Sequence, residues 1–215
     1  MANLTLVIGN KNYSSWSLRP WLLLKHHAIE FLEVQLALDT PGFTEQASLW
    51  SSSSRVPVLA DGQLRIWDSL AICEYLNETV LSGAGWPTAV QSRAMARSVC
   101  AEMHSGFAAL RTEMPMNVRR TPRALQISSA AQADLARIVA IWVDCLHRSG
   151  GPWLFQHFSI ADAFFAPVAF RLRAYEVFLE GVGNGYRLRL LNHPAMLEWE
   201  KQAKKEEHRI DAEER

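Results

Sequence analysis

Arg55-Val56-Pro57-Val58-Leu59-Ala60-Asp61-Gly62-Gln63-Leu64-Arg65-Ile66-Trp67-Asp68-Ser69 sets two short apolar runs on either side of an Asp-Gly pair, then two residues suited to opening a helix. Asp-Gly between such runs is a strong short-range hairpin signal, because glycine takes a positive φ at no steric cost. The expected strands are 56–60 and 63–67, turning at Asp61 and Gly62. Pro57 has no N–H to give to a ladder, so at a strand entrance it marks an edge, a bulge or a cis bond. Asp68 and Ser69 cap an amphipathic helix whose apolar positions are Leu70, Ile72, Cys73, Tyr75 and Leu76.

Upstream, Leu4 to Gly9 alternates like a strand, and Asn10 to Ser15 is a polar loop. Ser17 to His27 carries Leu18, Trp21, Leu22 and Leu24 at helical spacing, with Pro20 tolerated in a first turn. Phe31 to Leu38 alternates again, Thr44 to Trp50 is a short helical stretch, and a serine run fills 51–54. The predicted order is β-α-β-α-β-β-α. Ser82-Gly83-Ala84-Gly85-Trp86-Pro87 has linker chemistry, and no strand is expected beyond it. Helices are expected over Thr88–Glu113, Ser128–Arg148, Phe158–Tyr175 and from Pro194, with the charged tail Lys201–Arg215 as a solvated face. The reading is a mixed α/β N-terminal domain over residues 1–81, its element order similar to the thioredoxin-like fold, and an all-α C-terminal domain over 88–215.

Among 215 residues, 22 Lys and Arg balance 22 Asp and Glu, so there is no overall electrostatic footprint for nucleic acid. No apolar run reaches bilayer length, which argues against a membrane partner. The stretch Met1–Asn10 lacks a basic leader and reads as a first strand. Three widely separated cysteines, Cys73, Cys100 and Cys145, fit buried free thiols in a reducing compartment, so the expected location is cytoplasmic. His26, His27, His104, His147, His157, His193 and His208 show no metal-ligand spacing, and no metal is expected.

Three segments carry chemistry. Pro57 leaves the backbone of Val56 free to pair with an extended peptide. Asp68 and Ser69, at a helix N-terminus, suit an α-amino acid head: amides and a hydroxyl for the carboxylate, a carboxylate for the ammonium. Tyr13-Ser14-Ser15-Trp16-Ser17 places a hydroxyl at the mouth of the first helix, where it can donate to a thiolate. A free thiol near pKa 8.5 is only about 3% ionised at about pH 7; lowering that by about two units needs about 2.7 kcal/mol.

Taken in order, Ser14-Ser15-Trp16-Ser17-Leu18-Arg19, Arg55-Val56-Pro57-Val58-Leu59 and Asp68-Ser69-Leu70-Ala71-Ile72-Cys73-Glu74-Tyr75-Leu76 resemble the cytosolic glutathione S-transferase superfamily. Ser159-Ile160-Ala161-Asp162 resembles its helical-domain capping motif. The first loop is nearest the serine-based classes, the zeta (maleylacetoacetate isomerase) type above all. The resemblance implies that Ser14 activates the glutathione thiol, with Ser15, Arg55, Val56, Asp68 and Ser69 binding glutathione and Pro57 a structural cis-proline. It implies an electrophile pocket near Trp16, His104, Phe107 and Arg111, and a homodimer. Glutathione is then a co-substrate for conjugating or reversibly adding to a small electrophile, a detoxification chemistry with possible isomerase or peroxidase side activity. Trp16 stands where the zeta type has cysteine, and Arg171 and Arg173 lie near that type's helical-domain arginine. Arg19 reads as a structural ion-pair residue. The first helix has no Cys-x-x-Cys, which excludes dithiol exchange there. A reading from another class is a non-catalytic interaction or regulatory module on the same fold.

Overall fold

A computed structural model describes residues 4–215; Met1, Ala2 and Asn3, at the head of the stretch read as lacking a leader, lie outside the described residues. The elements are β1 (Leu4–Ile8), α1 (Ser15–His26), β2 (Leu32–Gln35), α2 (Phe43–Ser48), β3 (Val58–Asp61), β4 (Leu64–Trp67) and α3 (Ser69–Thr79), then helices only. These are α4 (Val90–Ser105), α5 (Ala108–Glu113), α6 (Ser129–Ser149), α7 (Ile160–Ala174), α8 (Gly181–Leu191) and α9 (Pro194–Ala203), with a 3-10 turn at Asp211–Glu213.

The sheet runs β2-β1-β3-β4, with β2 parallel to β1 and β3 antiparallel to both β1 and β4. Side-chain alternation sorts the core. Leu4, Leu6, Ile8 and Leu59 enter a large apolar cluster with α1 and α3 that runs on into the helical half. Val7 and Val58 face the other way, onto a small cluster with Leu36 and Ala47 beneath α2. α7 is the axis of the helical half and is buried almost end to end. Its start is a capping box in which Asp162 accepts from the Ser159 amide (2.9 Å) and hydroxyl (3.1 Å). Asp162 also accepts from the Leu154 amide (3.1 Å) and the Tyr186 hydroxyl (2.9 Å).

Several expectations shift. Asp61 pairs with Leu64, so the hairpin turns at Gly62 and Gln63, with only Gly62 (φ +55) in the left-handed region, as a type II′ turn requires. α1 begins at Ser15, which moves Pro20 from its first turn into its second. The predicted helix 88–113 is broken: Phe107 adopts φ +62 between α4 and α5. At Gly106 a side chain would meet the Glu102 carbonyl at 2.8 Å. α8 was not expected, because Gly181, Gly183 and Gly185 each weaken helix propensity by about 1 kcal/mol; burial of Tyr186, Leu190 and Leu191 overrides that.

The tail is solvated only in part: Lys201, Lys204, Lys205, Glu207, Arg209 and Arg215 are exposed, but other positions are held. Glu206 accepts from the Lys11 and Asn12 amides (2.6 and 2.9 Å), and Tyr13 donates to Glu214 at 2.6 Å while accepting from the Ile210 amide at 3.2 Å. Arg119 donates to the carbonyls of Glu206 and His208, fastening the same segment from the helical side. The linker is also held: the Gly85 amide donates to Asn77 Oδ1 (3.0 Å), and the Gly85 carbonyl accepts from the Ile160 amide (2.9 Å).

Candidate functional site

The mouth of α1 opens into a cavity of about 520 Å³ at the junction of the two halves. Ser14, Ser15, Trp16, Arg55, Val56 and Arg111 line it, and so does Arg171. Further walls come from Leu38, Asp39 and Phe43 on the α2 side, and from Ile210, Ala212 and Glu213 of the tail.

Ser14 is the N-cap of α1, and its Oγ accepts from the Ser17 amide at 3.4 Å. The same Oγ donates to Ser17 Oγ at 2.7 Å, and Ser17 Oγ accepts from the Gly9 amide at 3.1 Å. The Val56–Pro57 peptide is cis, and β3 starts only at Val58, so Val56 lies outside the ladder. The N-terminus of α1 opens on this cavity beside Val56, while the Ser14 hydroxyl proton is turned inward to Ser17.

Asp68 and Ser69 do not line this cavity. Asp68 caps α3 at φ +76, its Oδ1 accepting from the Leu70 (2.8 Å) and Ala71 (3.3 Å) amides. Its Oδ2 lies 3.1 Å from His104 Nε2. His104 thus belongs with Asp68 and not with the cavity wall: it sits in the last turn of α4, not midway along a longer helix. Phe107 is likewise absent from the wall, because it is buried in the α4–α5 joint. Trp16 joins the two groups, lining the cavity while its ring meets His104 edge-on at 5.2 Å.

Two cations, Arg19 and Arg111, flank Trp16, and a third, Arg171, lies beside Ser15. Arg19 is fully buried with its guanidinium 4.2 Å from the Trp16 ring centroid and 4.4 Å from that of Phe164. It donates to Ser69 Oγ at 3.3 Å and to the Met103 carbonyl at 3.5 Å, and no acidic partner lies within ion-pair distance among the described residues. The ion-pair expectation for Arg19 is therefore corrected: neutral acceptors and aromatic faces hold it. Arg111, 4.8 Å from the Trp16 centroid, donates to the Gly106 carbonyl at 3.0 Å and to that of Met103. Arg171 donates to the Met114 carbonyl at 2.8 Å and to Ser15 Oγ at 3.5 Å, while its buried Nη1 has no partner among the described residues. Arg173 instead pairs with Glu200 at 2.7 Å. Burial, then Arg111, lowers the Arg19 and Arg171 pKa values to about 9, which leaves both cationic at neutral pH.

The thiols stay out of this chemistry. Cys73, Cys100 and Cys145 are free and buried, and burial raises each pKa, that of Cys145 to about 11. Among the described residues there is no group of three or more His, Cys, Asp or Glu placed to hold a metal, and no helix long and apolar enough to cross a membrane.

A mixed four-stranded sheet with helices packed on it, joined to a helical half and meeting it at a serine-lined cavity, is a thioredoxin-like unit fused to an all-α unit. Residues 13–79 match the family model for the glutathione S-transferase N-terminal domain, and residues 97–202 that for the C-terminal domain. The chain belongs to the glutathione S-transferase superfamily. Among solved structures, a glutathione transferase homologue from Burkholderia gl BGR1 with bound glutathione superposes at TM-score 0.73 and 22% identity, covering 96% of this chain and all (100%) of that one. The Tau class glutathione S-transferase of mango, Mangifera indica, gives 0.72 and 18%, over 94% and 96% of the two chains. The glutathione transferase URE2P8 of Phanerochaete chrysosporium, with oxidised glutathione, gives 0.69 and 15%, over 95% and 96%. At these identities the likeness is one of fold. No curated protein matches the sequence.

Proposed function

We propose that the chain is a serine-type glutathione transferase, with residues 1–81 binding glutathione and 88–215 completing the electrophile site. One observation carries this reading: the Ser14 hydroxyl, at the N-terminus of α1, shares a cavity with Val56, whose backbone lies outside the ladder beside cis-Pro57. Glutathione lies extended along that edge, its cysteinyl backbone on Val56 and its glycyl end toward Arg55. Its γ-glutamyl head reaches Asp68 and Ser69, with the Arg19 charge behind Ser69 favouring the carboxylate. The thiol proton leaves to solvent, and Ser14 and the helix dipole hold the thiolate. The sulfur lone pair then forms a bond to an electrophilic carbon as a leaving group departs with its electron pair. With a conjugated acceptor, the displaced pair moves along the acceptor, and return of that pair expels the thiolate. The protein supplies position and charge, with no covalent protein intermediate. Glutathione is a co-substrate, and no metal takes part in these steps.

The electrophile that suits this cavity carries a carboxylate. Arg171 is buried and Arg111 half-buried, neither has an acid partner in ion-pair contact among the described residues, and the Arg111 charge adds to burial in lowering the Arg171 pKa. An anion between them satisfies Arg171 Nη1 and relieves that repulsion. Arg171→Leu is expected to raise KM for a carboxylate-bearing electrophile about tenfold or more, the worth of one charged hydrogen bond, with KM for a neutral aromatic halide nearly unchanged. Steady-state kinetics with both substrates checks this. Leu49, Leu64, Trp67, Val90 and Met95 are exposed and apolar, in keeping with a homodimer, and a cytoplasmic location suits the three unpaired thiols. The governing test is turnover with glutathione and a panel of halides, conjugated acids and hydroperoxides. Absence of both turnover and glutathione affinity would give the non-catalytic module instead, and affinity without turnover a glutathione-carrying binder.

A further inference from the structure

The Ser14 hydroxyl has one proton, and in the structure it is committed inward, to Ser17 Oγ at 2.7 Å. A hydroxyl aimed that way cannot donate to a sulfur in the cavity. Turning it outward while the two oxygens stay in contact would set lone pair against lone pair, unless Ser17 supplies the proton between them. Ser17 is able to do so. It is fully buried, it lies in the first turn of α1, and the Gly9 amide already fills one of its acceptor positions at 3.1 Å, leaving its own proton free. The geometry is held on both sides. The Ser17 amide fixes Ser14 Oγ, and a side chain at Gly9 would meet Leu38 at 2.8 Å, so the end of β1 sits close against its neighbour.

We propose that Ser17 is a positioning residue for thiol activation: on glutathione binding, the Ser14–Ser17 hydrogen bond reverses, and a donor chain runs from the Gly9 amide through Ser17 and Ser14 to the thiolate. No covalent bond changes in this step; two hydroxyl protons rotate. Negative charge drawn onto Ser14 Oγ by its bond to sulfur is then stabilised by a hydroxyl donor whose own oxygen is held by an amide, so each bond polarises the next. This rests on Ser14 being the group that meets the sulfur.

The test compares Ser17→Ala, Ser17→Cys and Ser14→Ala by the ultraviolet absorbance of the bound thiolate and by the pH profile of kcat/KM for the electrophile at saturating glutathione. Ser17→Cys keeps the volume and leaves only a weak donor, so it remains informative if Ser17→Ala fails to fold. Both Ser17 variants should raise the pKa of bound glutathione by about 0.7 units, with activity about fivefold lower on the acid side and recovered in alkali. An unmoved profile in the Ser17 variants, with a large shift in Ser14→Ala, overturns the relay and leaves Ser14 in place. Unmoved profiles in all three overturn the Ser14 reading itself.

Discussion

Ser14→Ala lowers kcat/KM for the electrophile, with glutathione saturating, by up to about fiftyfold at about pH 6.5, and the loss nearly vanishes by about pH 9. The size follows from the ionisation of one thiol. With its pKa drawn to about 6.5 the bound thiol is about half ionised there; returned to about 8.5 it is about 1% ionised. In alkali both forms are thiolate, so the defect is repaired by pH alone. Two contributions supply the required stabilisation: a charge-assisted O–H···S⁻ bond and the unpaired amides at the α1 N-terminus. The dipole survives the substitution, so about fiftyfold is the ceiling: whatever the dipole supplies keeps the bound thiol below about 8.5 and the acid-side loss smaller. A variant equally defective at every pH would show that Ser14 packs the loop and does not ionise the thiol. The measurement is a pH profile of kcat/KM for the electrophile with saturating glutathione.

Asp162→Ala is expected to lose about 4 kcal/mol of stability, a fall in Tm of about 12 °C. Asp162 is fully buried and accepts four hydrogen bonds, two from amides and two from hydroxyls. The hydroxyls of Ser159 and Tyr186 can turn elsewhere, but the Leu154 and Ser159 amides cannot, and each is then buried without an acceptor. The site also sets the start of α7, the helix against which both halves pack, so thermal and denaturant unfolding should both report the loss. Its pH behaviour gives a second handle. Burial outweighs the donated bonds and raises the Asp162 pKa from 3.8 to about 6. Between those values the folded chain holds a proton that the unfolded chain releases. Stability from this group is therefore greatest below 3.8 and is lost as pH rises through about 6. The gap between wild type and Asp162→Asn should widen as pH falls through that window. A gap independent of pH would mean that the carboxyl titrates normally.

The order of strands and helices in the first half could be read because its signals are local: alternation in β1, Asp-Gly near the hairpin, Asp68 before α3. The family model over residues 13–79 and the four-stranded sheet agree with that reading. The helical half was less legible wherever tertiary packing overrides propensity. Gly181, Gly183 and Gly185 argued against α8, which forms because Tyr186 reaches Asp162 and packs on Trp142. The α4–α5 break depends on a left-handed Phe107 that no residue pattern announces. At the site, Ser14, Ser15, Trp16, Arg55, Val56 and Arg111 come together, whereas Asp68 and Ser69 stand apart with His104. The buried charge of Arg19 and Arg171 was hidden because arginine is usually exposed, and nothing in the charged tail announced that Ile210 and Glu213 wall the cavity. Ser17 carried one available signal: it lies three residues after an N-cap serine, where side chain and cap meet.

The small cluster beneath α2 has an experimental consequence. Among the described residues, Val7, Leu36, Ala47 and Val58 are the buried members of that layer, while the opposite face shares a core with the helical half. Amides of α2 and its flanking segments should therefore exchange with deuterated water by local opening, well ahead of those in α1 and α7. Phe43 and Leu38, which touch the cavity, sit on that weakly insulated side. Glutathione would slow their exchange more than any other, making this layer a label-free reporter of occupancy.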